Sequence, residues 1–120
     1  MKTTKIEVSK LEGWQLDLAF AVAQGMQMTE YTWSRRAEFP PLSDIITLDF
    51  IEREGIDVTQ SIMLEVDLRC TAKLVRIGKD GEDLIHRVTQ SGPSYVVAAA
   101  RCFIASKLGE IVDVPVIEGV

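Results

Sequence analysis

A chain of 120 residues that is 47% hydrophobic and 26% charged has the make-up of one folded domain with a real core, not of a disordered tail. Its formal net charge of −5 excludes binding to nucleic-acid polymers through bulk charge, since the phosphate backbone rewards a face rich in lysine and arginine. No apolar run reaches membrane-spanning length, and Met1-Lys2-Thr3-Thr4-Lys5 leads into an amphipathic stretch instead of a signal-peptide core, so a cytoplasmic protein without a membrane partner is expected.

Ile6 and Val8 suggest a short opening strand, and Ser9-Lys10-Leu11-Glu12 has the serine-to-glutamate spacing of a capping box. A helix is expected over residues 10–24, stopped at Gly25. Leu11, Trp14, Leu18, Ala21 and Val22 fall on one face, and Leu16 and Phe20 widen it. So much apolar circumference predicts burial or a subunit contact, with Trp14 as a core anchor. Over residues 26–43 the period breaks. Tyr31, Trp33 and Phe39 are interleaved with Arg35, Arg36 and Glu38, and Pro40-Pro41 blocks a regular element. Such a loop either plugs the core with its aromatics and solvates its arginines, or uses both to hold a flat anionic ligand. The residues weigh these two evenly.

Residues 45–51 read as a short apolar strand, and Glu52-Arg53-Glu54-Gly55 as a solvated turn toward Ile56 and Val58. A two-residue period follows over 64–74: Leu64, Val66, Leu68, Cys70, Ala72 and Leu74 point one way, and Glu65, Asp67, Arg69, Thr71 and Lys73 the other. That is a long strand with one buried face. Gly78-Lys79-Asp80-Gly81 marks a hairpin turn, and residues 84–88 return beside it with Leu84, His86 and Val88 on one face. A lone histidine on such a face is expected as a hydrogen-bonded core residue, not a catalyst. Cys70 and Cys102 have no neighbouring cysteine or histidine and are expected as free thiols, with no metal site.

The clearest element begins at Gly92-Pro93-Ser94 and ends at Gly109. Gly92 or Ser91 can cap it, Pro93 suits its first position, and Gly109 can adopt the left-handed conformation that stops it. Arg101 stands seven residues after Ser94 among Ala98, Ala99, Ala100 and Ala105, on roughly one face with the helix N-terminus. It either lays its stem over alanine with its head in solvent or on an acidic neighbour, or joins Ser94 and the open N–H groups around a phosphate or carboxylate. The helix alone favours the first. Residues 111–116 form a last strand, placed at an edge by Pro115. Together these elements predict a single α+β domain over 1–120, an antiparallel β-sheet packed by an N-terminal and a C-terminal α-helix. One histidine and no nucleophile, phosphate-loop or metal motif argue for binding without turnover, and no cofactor is expected.

Three blocks in order resemble the small phage-encoded NinX-like proteins. They are Leu11-Glu12-Gly13-Trp14-Gln15-Leu16-Asp17-Leu18-Ala19-Phe20-Ala21-Val22-Ala23, Phe50-Ile51-Glu52-Arg53-Glu54-Gly55-Ile56-Asp57, and residues 92–115 with Gly92-Pro93-Ser94, Arg101-Cys102 and Ser106-Lys107-Leu108-Gly109. The middle departs from that pattern: Trp33-Ser34-Arg35-Arg36-Ala37-Glu38-Phe39-Pro40-Pro41 stands where the family carries a Pro-Ser-x-Asp-Trp-like segment. In size, element order and arginine-bearing last helix the chain also resembles the phage anti-Thoeris sponge proteins. Those proteins sequester a cyclic ADP-ribose immune signal intact, as oligomers with the ligand at a subunit interface.

The resemblance implies a phage anti-defence protein of the host cytoplasm, a homo-oligomer that binds a small cyclic nucleotide without degrading it. On that reading Gly92, Ser94 and Arg101 take the phosphates. The loop's chemistry, outside the matching blocks, suggests Tyr31, Trp33 or Phe39 to stack the base and Arg35 or Arg36 of a neighbouring subunit to close the site. Arg101 is then an exposed interfacial residue, and Arg101→Ala is expected to leave folding nearly unchanged. The competing class is an adaptor or inhibitor that binds a host enzyme through the acidic surface and the Trp33 loop, with no small-molecule ligand. A small hydrolase of the same nucleotide is a third, disfavoured by the missing catalytic set.

Overall fold

A computed structural model gives the structure of the chain and describes residues 3–27, 41–61, 65–77 and 85–115. Strand β1 (Thr3–Glu7) is followed by a one-turn 3-10 helix (Val8–Lys10) and then helix α1 (Gly13–Ala23). The expected capping box is not used: α1 starts after Glu12, whose side chain makes no cap bond. The reason is burial, because Val8 and Leu11 are both driven fully inside, and the chain must turn inward there before a helix can start. Gly25, at φ 107°, ends the helix as expected.

The strand expected over residues 45–51 is helical instead. A single turn, α2 (Leu42–Ile45), leads into α3 (Leu48–Glu54), which absorbs the charges that read as a turn. Thr47 caps α3, its Oγ1 accepting the Phe50 N–H at 3.3 Å, and Gly55 stops it in the left-handed region at φ 70°. Asp49 in the first turn and Arg53 in the last suit the helix dipole. Ile46 and Phe50, four apart, are both buried. Burial of Phe50, with the Thr47 cap and the Gly55 stop, thus outweighs the strand-like composition of this run.

Strand β2 (Ile56–Gln60), a 3-10 turn (Val66–Leu68), strands β3 (Cys70–Ile77) and β4 (Ile85–Gly92), helix α4 (Tyr95–Leu108) and strand β5 (Ile111–Pro115) complete the order. β3 begins later than the alternation predicts. Cys70, Ala72 and Leu74 are buried in turn, but Val66 and Leu68 lie on the 3-10 turn and are exposed, and Leu64 lies outside the described residues. β3 and β4 pair antiparallel out to Ile77 opposite Ile85, the register a hairpin requires. The turn Gly78-Lys79-Asp80-Gly81 lies outside the described residues, as does Leu84, while Val88 on the expected inner face is buried.

The strands form two antiparallel sheets, not the single one expected: β2-β3-β4, and β1 with β5. Helix α4 runs through the centre and makes the fold α+β, packed against all three strands of the larger sheet, against α1 and against β5. Its residues Ala98, Ala99, Ala100, Arg101, Cys102, Phe103, Ile104 and Ala105 are buried without a break, as a helix covered on every side must be. Ser94, not Gly92 or Ser91, caps it: the hydroxyl accepts the Val97 N–H at 3.3 Å. Gly92 serves a different purpose. A Cβ there would stand 2.9 Å from the Ala98 backbone nitrogen and 2.9 Å from Val97 Cγ1, so only glycine lets β4 run this close to the start of α4.

The core centres on Phe20, Phe50 and Phe103, one ring from each of α1, α3 and α4, with centroids 5.3–5.7 Å apart and tilted planes. Phe20 is the anchor of α1, whereas Trp14 is only half-buried. Cys70 and Cys102 are buried in this core, and the Cys102 thiol donates to the Val88 carbonyl at 3.7 Å.

Candidate functional site

Arg101 is 6% exposed, which overturns the expectation of an exposed interfacial arginine. Its Nε and Nη2 donate to the Leu11 carbonyl at 3.0 and 2.8 Å, and Nη1 donates to the Ser91 carbonyl at 2.7 Å. The cause is the chain path. Leu11 sits between a 3-10 turn and a helix, with no ladder to take its carbonyl, and Ser91 is on β4, an outer strand of its sheet. A buried carbonyl without a donor is costly, and the guanidinium fork supplies donors to both. Arg101 thereby ties α4 to the N-terminal segment and to β4.

One side of this guanidinium faces a polar groove of about 540 Å³. Ser9, Lys10 and Glu12 form its N-terminal wall, Thr89, Gln90 and Ser91 its β4 wall, and Arg101 its floor. Lys10, Arg101 and Glu12 are its charged lining residues, and Lys10 Nζ is also paired with Glu7 Oε2 at 3.6 Å. Gly92 and Ser94 do not line the groove. Ser94 is two helical turns from Arg101, about 10 Å along the axis, and its hydroxyl is already engaged with Val97. Of the three residues expected around one phosphate, Arg101 lines the groove and Gly92 and Ser94 do not. Trp33, Arg35, Arg36, Phe39 and Tyr31 lie outside the described residues.

Gln90 is not among the candidates that the sequence suggests. It is 9% exposed, one of the two buried polar or charged side chains among the described residues, the other being Arg101. Along β4 it shares a face with Val88 and Gly92, and it pairs across the sheet with fully buried Ala72. Among the described residues no hydrogen bond reaches its carboxamide. The signal was present in the alternation, where an amide occupies an inward position of a strand, but it is visible only once the strand is known to extend past Val88.

Three apolar clefts lie elsewhere. One of about 440 Å³ between α3, β2 and the start of α4 is rimmed by exposed Leu48 and Tyr95. A second, of about 270 Å³, runs between α1 and β5 past Leu18, Val22, Leu108 and Ile111. The third, of about 200 Å³, holds Asp17 beside Phe20, Met26 and Leu42. Burial there pushes the Asp17 carboxyl above its ordinary pKa. Among the described residues no three His, Cys, Asp or Glu side chains gather as a metal site, and no helix is long and apolar enough to cross a membrane. No protein-family model matches this sequence, and no curated protein matches it either, so the residues themselves carry the functional argument.

Proposed function

We propose that the protein binds and retains a small phosphate-bearing nucleotide, of the cyclic ADP-ribose class, without turning it over, and that the groove floored by Arg101 holds it. The observation that carries this reading is the buried guanidinium at the floor of a polar groove, with Lys10 on the wall above it. At about 540 Å³ the groove is within the usual range of small-molecule sites. The hydroxyls of Ser9 and Thr89 and the Lys10 ammonium supply donors to phosphate oxygens, while the positive charge of Arg101 favours an anion from below. Glu12 sets a limit on how much anionic charge the rim accepts. Retention by a phage-encoded homo-oligomer in a host cytoplasm accords with this chemistry, and the apolar cleft of Leu18, Val22, Leu108 and Ile111 offers surface for a second copy.

The test is to incubate purified protein with lysate from cells whose TIR-type defence system is active, remove free small molecules, denature the protein and analyse what it releases by mass spectrometry. An intact cyclic ADP-ribose species is the expected result. An empty protein refutes the reading and favours the second one, a protein–protein adaptor. The observation behind that alternative is the apolar cleft edged by Leu48, 75% exposed, and Tyr95, 49% exposed. It predicts a host protein in pull-downs that is lost in Leu48→Asp.

A further inference from the structure

We propose that the Gln90 carboxamide reads the uncharged part of the ligand, a planar edge that presents a hydrogen-bond donor beside an acceptor, as a nucleobase or a carboxamide does. This rests on the reading of the Arg101 groove as a ligand site. It differs from that reading in assigning specificity to a residue that carries no charge.

The starting point is cost. An amide taken out of water without a partner destabilises the folded chain, and nearly all buried polar groups avoid this by finding one. Gln90 is nine-tenths buried and, among the described residues, its carboxamide is reached by no hydrogen bond. The neighbours on its face are apolar or small: Val88 and Gly92 along the strand, Ala72 across it. A leucine or methionine would suit such a position better, so a glutamine there is a local inconsistency of the kind that marks functional positions. The polar space it adjoins is the groove.

Its support is rigid. The next residue, Ser91, has its carbonyl held by Arg101 Nη1 at 2.7 Å, and Gln90 itself lies within the ladder opposite Ala72. The backbone beneath the carboxamide is therefore fixed from both sides, as a recognition group requires. A carboxamide offers one acceptor oxygen and two N–H donors in a plane, and its bidentate complement is a donor–acceptor edge, the match that glutamine makes with adenine. The division of labour follows from position. Lys10 and Arg101 serve the anionic part of a ligand, and Gln90 on the β4 wall serves the neutral planar part.

Adenosine monophosphate and ribose 5-phosphate separate these contributions, because they share the sugar phosphate and differ by the base. Binding of both is measured by titration calorimetry on the wild-type chain and on Gln90→Met, which keeps the length and removes the amide. The wild type is expected to bind the monophosphate about tenfold or more tighter than ribose 5-phosphate. Gln90→Met is expected to bind both alike, at the wild-type affinity for ribose 5-phosphate, and to melt without ligand at or above the wild-type temperature, because an unpartnered amide has been removed. A wild type that binds both probes equally overturns the role of Gln90 and leaves the groove reading standing. A wild type that binds neither overturns the groove reading and this proposal with it. A Gln90→Met chain that melts well below the wild type, or fails to fold, gives the amide a structural partner and overturns the proposal.

Discussion

Replacing Arg101 by methionine keeps the length of the stem and removes every donor. The Leu11 carbonyl accepts two of the guanidinium's bonds, at 3.0 and 2.8 Å, and Leu11 is fully buried, so water has no ready access. Leaving that carbonyl unsatisfied costs ~2–3 kcal/mol. The Ser91 carbonyl loses its bond at 2.7 Å, but Ser91 is half-buried and water replaces part of it, so ~1 kcal/mol is lost there. Relief from desolvating the guanidinium offsets a fraction of this sum. A net loss of about 3 kcal/mol is expected, a large share of the total stability of a domain this size, and it lowers Tm by ~10 °C. Arg101→Lys keeps the charge and loses the fork, and is expected to recover less than half of the loss. Arg101→Ala, expected from the sequence to fold nearly unchanged, falls under the same reasoning and forfeits the packing of the stem as well. Urea denaturation at constant m-value measures these differences. An Arg101→Met chain within about 0.5 kcal/mol of the wild type would show that the three bonds contribute nothing net, and the reasoning fails.

Gly92→Ala places a Cβ 2.9 Å from the Ala98 backbone nitrogen and is expected to cost ~1–3 kcal/mol in a thermal melt, whereas a variant as stable as wild type would mean that α4 can shift without penalty. Thr47→Ala removes the cap of α3 and is expected to cost about 1 kcal/mol, and no change would show that the 3.3 Å bond is incidental. Burial raises the Asp17 pKa, so the folded chain holds that proton more tightly than the unfolded one. The contribution of this group is therefore fully present below the ordinary carboxylate range and is lost as pH rises through the raised value. Asp17→Asn is accordingly expected to stabilise the chain slightly at neutral pH and to lose that advantage near about pH 3. An advantage that grows toward acid pH refutes the assignment.

Where local signals agreed with burial, the sequence was a sufficient guide. The small-residue helix before Gly109 and the alternation of Cys70, Ala72 and Leu74 are present, and so is the apolar helix before Gly25, although it starts only after Glu12 and buries Leu16, Leu18, Ala19 and Phe20. It misled where composition and tertiary context pull apart. The run from Ile45 to Ile51 has the residues of a strand, and the burial of Phe50 against Phe20 and Phe103, between the Thr47 cap and the Gly55 stop, favours helix there instead. Val66 and Leu68 continue an alternation that the chain abandons for a 3-10 turn. The candidate site was legible only in part. An arginine among alanines was visible, but not whether it turns outward to a ligand or inward to carbonyls. Its partners, ninety residues away at Leu11 and ten at Ser91, are set by topology and not by neighbours in the helix. Gln90 escaped notice for a different reason, since the apolar alternation of this strand stops at Val88 and nothing local shows that β4 runs on to Gly92.

The smaller sheet joins the first strand to the last, Thr3 opposite Pro115 and Glu7 opposite Ile111, and the Val8 N–H continues the pairing onto the Glu110 carbonyl at 2.8 Å. Among the described residues neither strand has another partner. β1 precedes β5 by about a hundred residues in the chain, so its ladder with β5 is a long-range contact that forms only after β5 has been made. The same dependence acts in the finished protein. If β5 detaches, β1 loses the one ladder it makes among the described residues, so the two strands open as one unit and their amides exchange with solvent together, sooner than those of β3 between its two neighbours.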